Sequence, residues 1–481
     1  MKKKIFSLIM MCFLAVTICL TGCGKKGLTD NPATDATVFS NGGMSVVKGD
    51  YLYFVNGYVD QALLTKDDNK EGKVQKGAIY RTKLVNGEID KDIDGFLKNA
   101  DCVVSKIVGF SQGGFAIIDD FIYYATPYMK FSNSGKLQND RIEFHRVGID
   151  GTEDETLYVT SASDTELEWA MYKIDTTTYM VIYESGNIIS INAQTGDVVG
   201  KVSNSLSHAI LSESDYVYKD SRSNFNNLYV VFTREIDETV DKVSKANYAG
   251  NAVCCMNIAT GETAVMNLGV EETYTIQHVT KDTIYYSYTS AGKPEECLYK
   301  KVIETSWKDA KEIQLTYSKY DSYHFVDYGN DLIVASKGSA MWRLEGDCTT
   351  EPVKIQNASR EIIGVFGNYA YYVSEGDLIR FDIRSMSDPQ NAYDDSKITL
   401  ITNSNFIDFD NRRIYVYAQY TAENGDTNYY LNYFEENFTT DEEFEQRFVG
   451  VFENGDLPKA PTQPEEPENE GDEIVYIPHI D

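Results

Sequence analysis

Three features of this 481-residue sequence predict an all-β fold, a single propeller of about eight four-stranded blades. A strand rich in aromatic and β-branched residues recurs about every 50 residues, the period of propellers and other repeat arrays. Hairpin turn residues follow most recurrences. No long amphipathic stretch lies between them to supply the helices that a parallel α/β sheet needs. The composition agrees, with 35 Tyr, 22 Phe and only 10 Pro, because aromatic side chains fit a pleated, half-buried surface.

The recurring strand first reads Tyr51-Leu52-Tyr53-Phe54-Val55, then Phe121-Ile122-Tyr123-Tyr124 and Tyr179-Met180-Val181-Ile182-Tyr183. It returns as Leu228-Tyr229-Val230-Val231-Phe232, Ile284-Tyr285-Tyr286-Ser287-Tyr288 and Leu332-Ile333-Val334. The last copies are Tyr369-Ala370-Tyr371-Tyr372-Val373 and Ile414-Tyr415-Val416-Tyr417. A second strand pair is expected after each, around Asn86-Gly87, Asp150-Gly151, Thr195-Gly196-Asp197, Thr260-Gly261-Glu262 and Glu345-Gly346-Asp347. Asn-Gly and Asp-Gly are strong hairpin signals because both residues accept positive φ. Four strands per unit describe a blade. The count is eight, or seven if Leu228 and its neighbours belong to an insertion. One helical candidate stands near the end, over 440–448.

Four regions follow. Residues 1–22 have a basic start (Lys2-Lys3-Lys4), an apolar stretch over 5–20 and small residues leading to a cysteine, the layout of a secretory signal. The ending Leu20-Thr21-Gly22-Cys23 resembles the lipobox of bacterial lipoproteins, which implies lipidation of Cys23 as the first residue of the mature chain. Residues 23–37 read as a lipidated polar tether and 38–456 as the propeller. In 457–481, Pro458, Pro461, Pro464 and Pro467 alternate with glutamates. Such a segment buries too little apolar surface to order itself.

Charge narrows the partners. The net charge is −30, and residues 1–22 hold three lysines and no acids, which leaves the chain from Cys23 at −33. Nucleic-acid affinity comes largely from neutralising phosphates with Lys and Arg, so no nucleic-acid partner is expected. Anionic headgroups repel the same field, and membrane attachment falls to the acyl chains. Of eight cysteines, Cys12 and Cys19 leave with the signal. Cys102, Cys254, Cys255, Cys297 and Cys348 remain without zinc-like spacing. Cys254 and Cys255 adjoin in a strand, so one side chain is expected inside and the other outside.

One motif carries metal chemistry. Asp90, Asp92 and Asp94 stand at positions one, three and five of a loop with Gly95 at six and Asp101 at twelve. That is the oxygen-rich spacing of a Ca²⁺ loop, although Asp101 replaces the usual Glu and no helices flank it. In so acidic a chain the same run also reads as a solvated connection between blades. His145, His208, His278, His324 and His479 show no metal-binding spacing, and neither a nucleophile elbow nor a phosphate loop is present. No catalytic residue is assigned.

The segment from Ile191 through Thr195-Gly196-Asp197 to Val199 resembles the repeat of quinoprotein-type propellers. It lacks the tryptophan that follows the turn in that family, so no quinone cofactor is expected. The lipobox, Gly49-Asp50-Tyr51-Leu52-Tyr53-Phe54, the run from Gly113 to Pro127 and the Phe144–Thr152 hairpin together resemble surface lipoproteins of Gram-positive anaerobes. Those carry propeller repeats similar to the low-density-lipoprotein-receptor family, whose Tyr-Trp-Thr-Asp signature is absent here. The resemblance implies fold and an extracytoplasmic, membrane-anchored location. The expected function is a non-catalytic binding or scaffolding module for a protein or a cell-wall glycan. Its contact surface would be loops on one propeller face, with insertions at 60–77 and 235–250. A propeller enzyme acting on carbohydrate and a solute-binding lipoprotein are the alternatives.

Overall fold

A computed structural model describes residues 27–32, 43–59, 76–87, 100–128, 141–161, 167–210, 228–244, 250–279, 283–291, 298–302 and 306–315. From 324 to 435 it describes the strands as backbone, with the side chain of Tyr415. The described residues form 32 strands and no helix. The candidate helix at 440–448 and the tail at 457–481 lie outside them.

The strands group into eight sheets, each a contiguous stretch: 45–104, 114–159, 167–202, 205–268, 273–314, 324–356, 362–393 and 398–435. In the first seven, four antiparallel strands follow one another in chain order. Every aromatic strand expected from the sequence becomes the second strand of one of these sheets or, in the last, its spine (Arg413–Thr421). Tyr229–Glu235 is the second strand of the fourth sheet, so the region of Leu228 is a blade and not an insertion.

The eighth sheet departs from the pattern. Ile398–Leu400 and Phe406–Asp408 lie end to end along one edge of Arg413–Thr421, and Thr427–Glu435 takes the other edge. The five residues between the two short strands interrupt what is elsewhere one inner strand, leaving this blade three strands wide. The tight hairpin expected at Asn86-Gly87 also differs. Both residues turn with positive φ, but the third strand ends at Lys83 and its partner starts only at Asp101.

Why the strands read as nearly continuous apolar runs is clear from their two faces. In Thr177–Glu184, Met180 and Ile182 enter a core shared with blades 1 and 2, while Val181 and Tyr183 enter one shared with blade 4. Blade 4 repeats the division, with Val230 and Phe232 facing blade 3 and Val231 facing blade 5. Period-two alternation therefore buries both faces of each inner strand. The first strands of blades 1 and 2 are buried along their whole length, and the fourth strands carry more exposed and half-buried positions. First strands thus line the centre of the ring and fourth strands its rim.

The ring closes on blade 1. Its first strand lies beside Gly114–Ile118 of blade 2 on one side and Phe406–Asp408 of blade 8 on the other. Tyr415 of blade 8 is fully buried in the core that blades 1 and 2 share. Among the described residues, no strand from one end of the chain completes a sheet at the other end.

Chain direction assigns the loops to the ring's two ends. Short links such as 203–204 and 269–272 carry each fourth strand to the next first strand, too short to cross the ring's height. First-to-second and third-to-fourth connections therefore start and finish at one end, many as short turns such as 49–50, 119–120, 149–154 and 258–262, with longer spans between Lys83 and Asp101 and between Ala209 and Tyr229. The strand ends that flank the second-to-third connections, Val55 and Ile79, Pro127 and Ile142, and Glu235 and Asn251, lie at the other, with the links.

Blades 3 and 4 come into close contact at a pair of glycines, Gly200 and Gly261. Gly261 turns with φ of 71°, and a Cβ there would meet the Val199 carbonyl oxygen and the Gly200 Cα across the blade 3–blade 4 boundary. Gly261→Val is expected to destabilise the protein by at least about 2 kcal/mol, from backbone strain together with overpacking. Urea unfolding followed by tyrosine fluorescence measures this. A midpoint equal to wild type would show that the boundary tolerates a side chain.

Candidate functional site

The densest group of titratable side chains lies on the side of blade 2 that faces blade 1. Glu143 and His145 are two residues apart in the strand Ile142–Gly148 and so share one face. Tyr124 sits directly across the ladder from His145, and the rings stack 5.2 Å apart. Asp154 comes from the turn before the fourth strand, and Lys106 from the link that leaves blade 1.

These groups close on the imidazole. His145 Nδ1 is 3.1 Å from Asp154 Oδ1, and Nε2 is 3.2 Å from Glu143 Oε2. Tyr124 donates its hydroxyl to Asp154 Oδ1 at 2.9 Å, and Lys106 Nζ lies 2.9 Å from Asp154 Oδ2. The His145 side chain is 3% exposed, while Lys106, Glu143 and Asp154 remain between 24% and 32% exposed. Water reaches the carboxylates and the ammonium but not the ring.

A carboxylate faces each ring nitrogen, and Lys106 Nζ also approaches Nδ1 at 3.3 Å, so the protonated ring can donate to both acids. Burial opposes the charged ring, but the hydrogen bonds to Asp154 and Glu143 outweigh it and raise the His145 pKa. Burial likewise opposes the Asp154 charge, and His145 with Lys106 overcomes it, holding that carboxyl down at about 2. In its protonated form the ring, engaged at both nitrogens, offers no lone pair to a substrate proton or a metal. As it stands, the cluster clamps the blade 1 link to blade 2.

A related device joins blades 3 and 4. His208 stacks on Tyr183 at 3.7 Å and pairs through Nε2 with Glu168 at 3.0 Å. Between blades 2 and 3, buried Glu184 accepts hydrogen bonds from the Tyr158 hydroxyl and from the Ser161 backbone and side chain. Asn251 of blade 4 exchanges two 2.8 Å hydrogen bonds with the Tyr274 backbone of blade 5. Polar groups at these boundaries hold blades together in register.

Of the residues singled out in the sequence, Cys23, Asp90, Asp92 and Asp94 lie outside the described residues. Asp101 opens the fourth strand of blade 1, with its carboxylate 3.9 Å from Arg81 Nε. Among the described residues, no cluster of His, Cys, Asp and Glu is arranged to hold a metal ion. Cys254 is buried and Cys255 half-buried on opposite faces, both as free thiols. Burial pushes the Cys254 thiol up to about 11. The pairing of Glu143 with His145 was readable from strand alternation. Lys106 and Asp154 were not, since their approach depends on how a link and a turn pack.

No family model and no curated protein matches the sequence. Solved structures resemble the chain in shape. A eukaryotic initiation factor aligns at 9% identity and a TM-score of 0.43, over 89% of this chain and 91% of its own. The β-propeller domain of the Trilobed protease from Pyrococcus furiosus, described as having an open velcro topology, aligns at 10% identity and 0.38. That alignment covers 75% of this chain and all of the domain. The acylaminoacyl peptidase of Pyrococcus horikoshii aligns at 13% identity and 0.37 over 66% of this chain, which spans half of that enzyme. The propeller assignment rests on the chain's own sheet topology.

The His145 clamp sets a pH dependence. A histidine whose native pKa is raised stabilises fully below its unfolded value, near 6.5, and loses that stabilisation as pH rises through the native value. The urea midpoint of wild type relative to His145→Gln should therefore be highest in mild acid and fall toward alkaline pH. A difference that stays flat across that range would mean the imidazolium does not support the fold.

Proposed function

We propose that the protein is a lipoprotein on the extracytoplasmic face of a bacterial membrane, anchored through Cys23. It displays its propeller as a non-catalytic binding or scaffolding module. The observation that carries this reading is the gathering of the long second-to-third connections of blades 1, 2 and 4 at one end of the ring. Sequence reading placed insertions at 60–77 and 235–250 on one face. The strands fix both entry points there, although most residues of these loops lie outside the described ones. Variable loops on a rigid scaffold are a common way to build a binding surface.

Charge and chemistry agree with it. A chain at −33 from Cys23 onward suits a partner with exposed cationic groups, on a protein or on amino sugars of a cell-wall glycan. The most concentrated set of titratable groups described above is engaged within itself, which suits a structural task better than turnover.

Two measurements test the reading. Cys23→Ala should move the protein from the detergent phase to the aqueous phase or leave its signal uncleaved. The soluble propeller should be retained on purified cell walls or on immobilised surface proteins. Replacing 60–75 and 129–140 by short Gly-Ser turns should abolish retention without lowering the melting temperature. Retention that survives both replacements would move the contact surface elsewhere. Wild-type protein found wholly aqueous would end the lipoprotein reading.

A further inference from the structure

The segment 27–32, read from sequence as part of a free tether, is bound to the turn-bearing end of blades 1 and 2. Leu28 donates its backbone N–H to the Asp150 carbonyl at 2.9 Å and packs against the core shared by the two blades. Gly27 lies so close to Asp150 that a Cβ would strike its carboxylate. Arg81, only 1% exposed, donates from Nη1 to Asn31 Oδ1 and from Nη2 to the Thr29 carbonyl at 2.9 Å. Lys83 bridges Asp30 and Asp50, and Pro32 is buried. Burial and the Asp30 carboxylate push the Tyr51 hydroxyl up to about 12.

A buried guanidinium makes this attachment specific. Leaving a charge buried without partners is far more costly than leaving one in water, and much of what Arg81 binds comes from this segment. The backbone of 27–32 is thereby fixed to the third strand of blade 1 and the third-to-fourth turn of blade 2. Both contacts lie at the end of the ring opposite the second-to-third connections of blades 1, 2 and 4.

We propose that 27–32 is an orienting strap between lipid and propeller. It holds the blade 1–blade 2 edge of this end toward the bilayer and turns the end that carries the second-to-third connections away from it. This rests on the lipidation of Cys23. Only four residue steps separate Cys23 from Gly27, a span of at most about 14 Å when fully extended. A free polar tether up to residue 37 would let the propeller tumble. A strap gripped at residue 27 leaves a short leash from one defined corner, and the occupied side of the ring is the bilayer surface itself.

Energy transfer in vesicles tests the orientation. The full chain, expressed with its signal and purified in lipidated form, is reconstituted in phosphatidylcholine vesicles carrying a headgroup acceptor dye. A donor is placed through a bio-orthogonal amino acid at Glu153, an exposed turn residue of blade 2, or at Ala291, an exposed residue in the second-to-third connection of blade 5. Transfer from position 153 should exceed that from 291 severalfold. A long Gly-Ser linker inserted between Cys23 and Gly27 should erase the difference while the protein still floats with the vesicles. Flotation with equal transfer from both positions in the unmodified leash would overturn the strap and leave anchoring intact. Failure to float would remove anchoring, and the orientation with it.

Discussion

Burial of both faces of the sheets, seen in the blades whose side chains are described, is the constraint on which this structure depends. A lone four-stranded blade would expose one apolar face or the other, because its inner strands carry hydrophobic side chains at odd and even positions alike. Met180 and Val181 are adjacent residues, yet they belong to cores on opposite sides of blade 3. Only a neighbour on each side satisfies both, and a row of blades has two unsatisfied ends. Bringing blade 8 against blade 1, with Tyr415 buried in the shared core, removes both ends together. Repeat proteins gain stability through such nearest-neighbour surfaces, and ring closure gives every blade two.

The polar chemistry follows from the same constraint. Groups at a blade boundary lose water when the blades meet, so each needs a partner from the neighbour or from its own sheet. His145 between Asp154 and Glu143, His208 on Tyr183 beside Glu168, and Glu184 under Tyr158 are local solutions to that need. They use the histidines and acids that would otherwise be candidates for catalysis. The shape of the blade leaves the loops free to vary, and the proposed binding role belongs to them.

Arg81 is the counterpart at the edge of the ring. It is buried beneath a segment that precedes the first strand, where composition alone indicates a solvated tether. Its guanidinium ties that segment to the body of the protein, so the path from the proposed lipid to the propeller carries direction as well as length. The second-to-third connections, to which the proposed binding role is given, start and finish at the far end, and a binding face turned toward the bilayer would be hidden by it.

The sequence by itself determined the strands, the repeat and the hairpin turns. These depend on local properties: side-chain alternation, β-branched and aromatic content, and residues that accept positive φ. All eight aromatic runs settle as second or spine strands, and the turns at Gly151, Gly196 and Gly261 join third strands to fourth. The shared face of Glu143 and His145, two residues apart in one strand, was available on the same grounds. Tertiary structure decided the rest. It split the inner strand of blade 8, moved the partner of the Asn86-Gly87 turn to Asp101, brought Lys106 and Asp154 to His145, and fastened 27–32 over Arg81. Each of these joins residues from separate blades or segments, and their meeting is set by how sheets pack around a closed ring. Local sequence pattern carries no record of that packing.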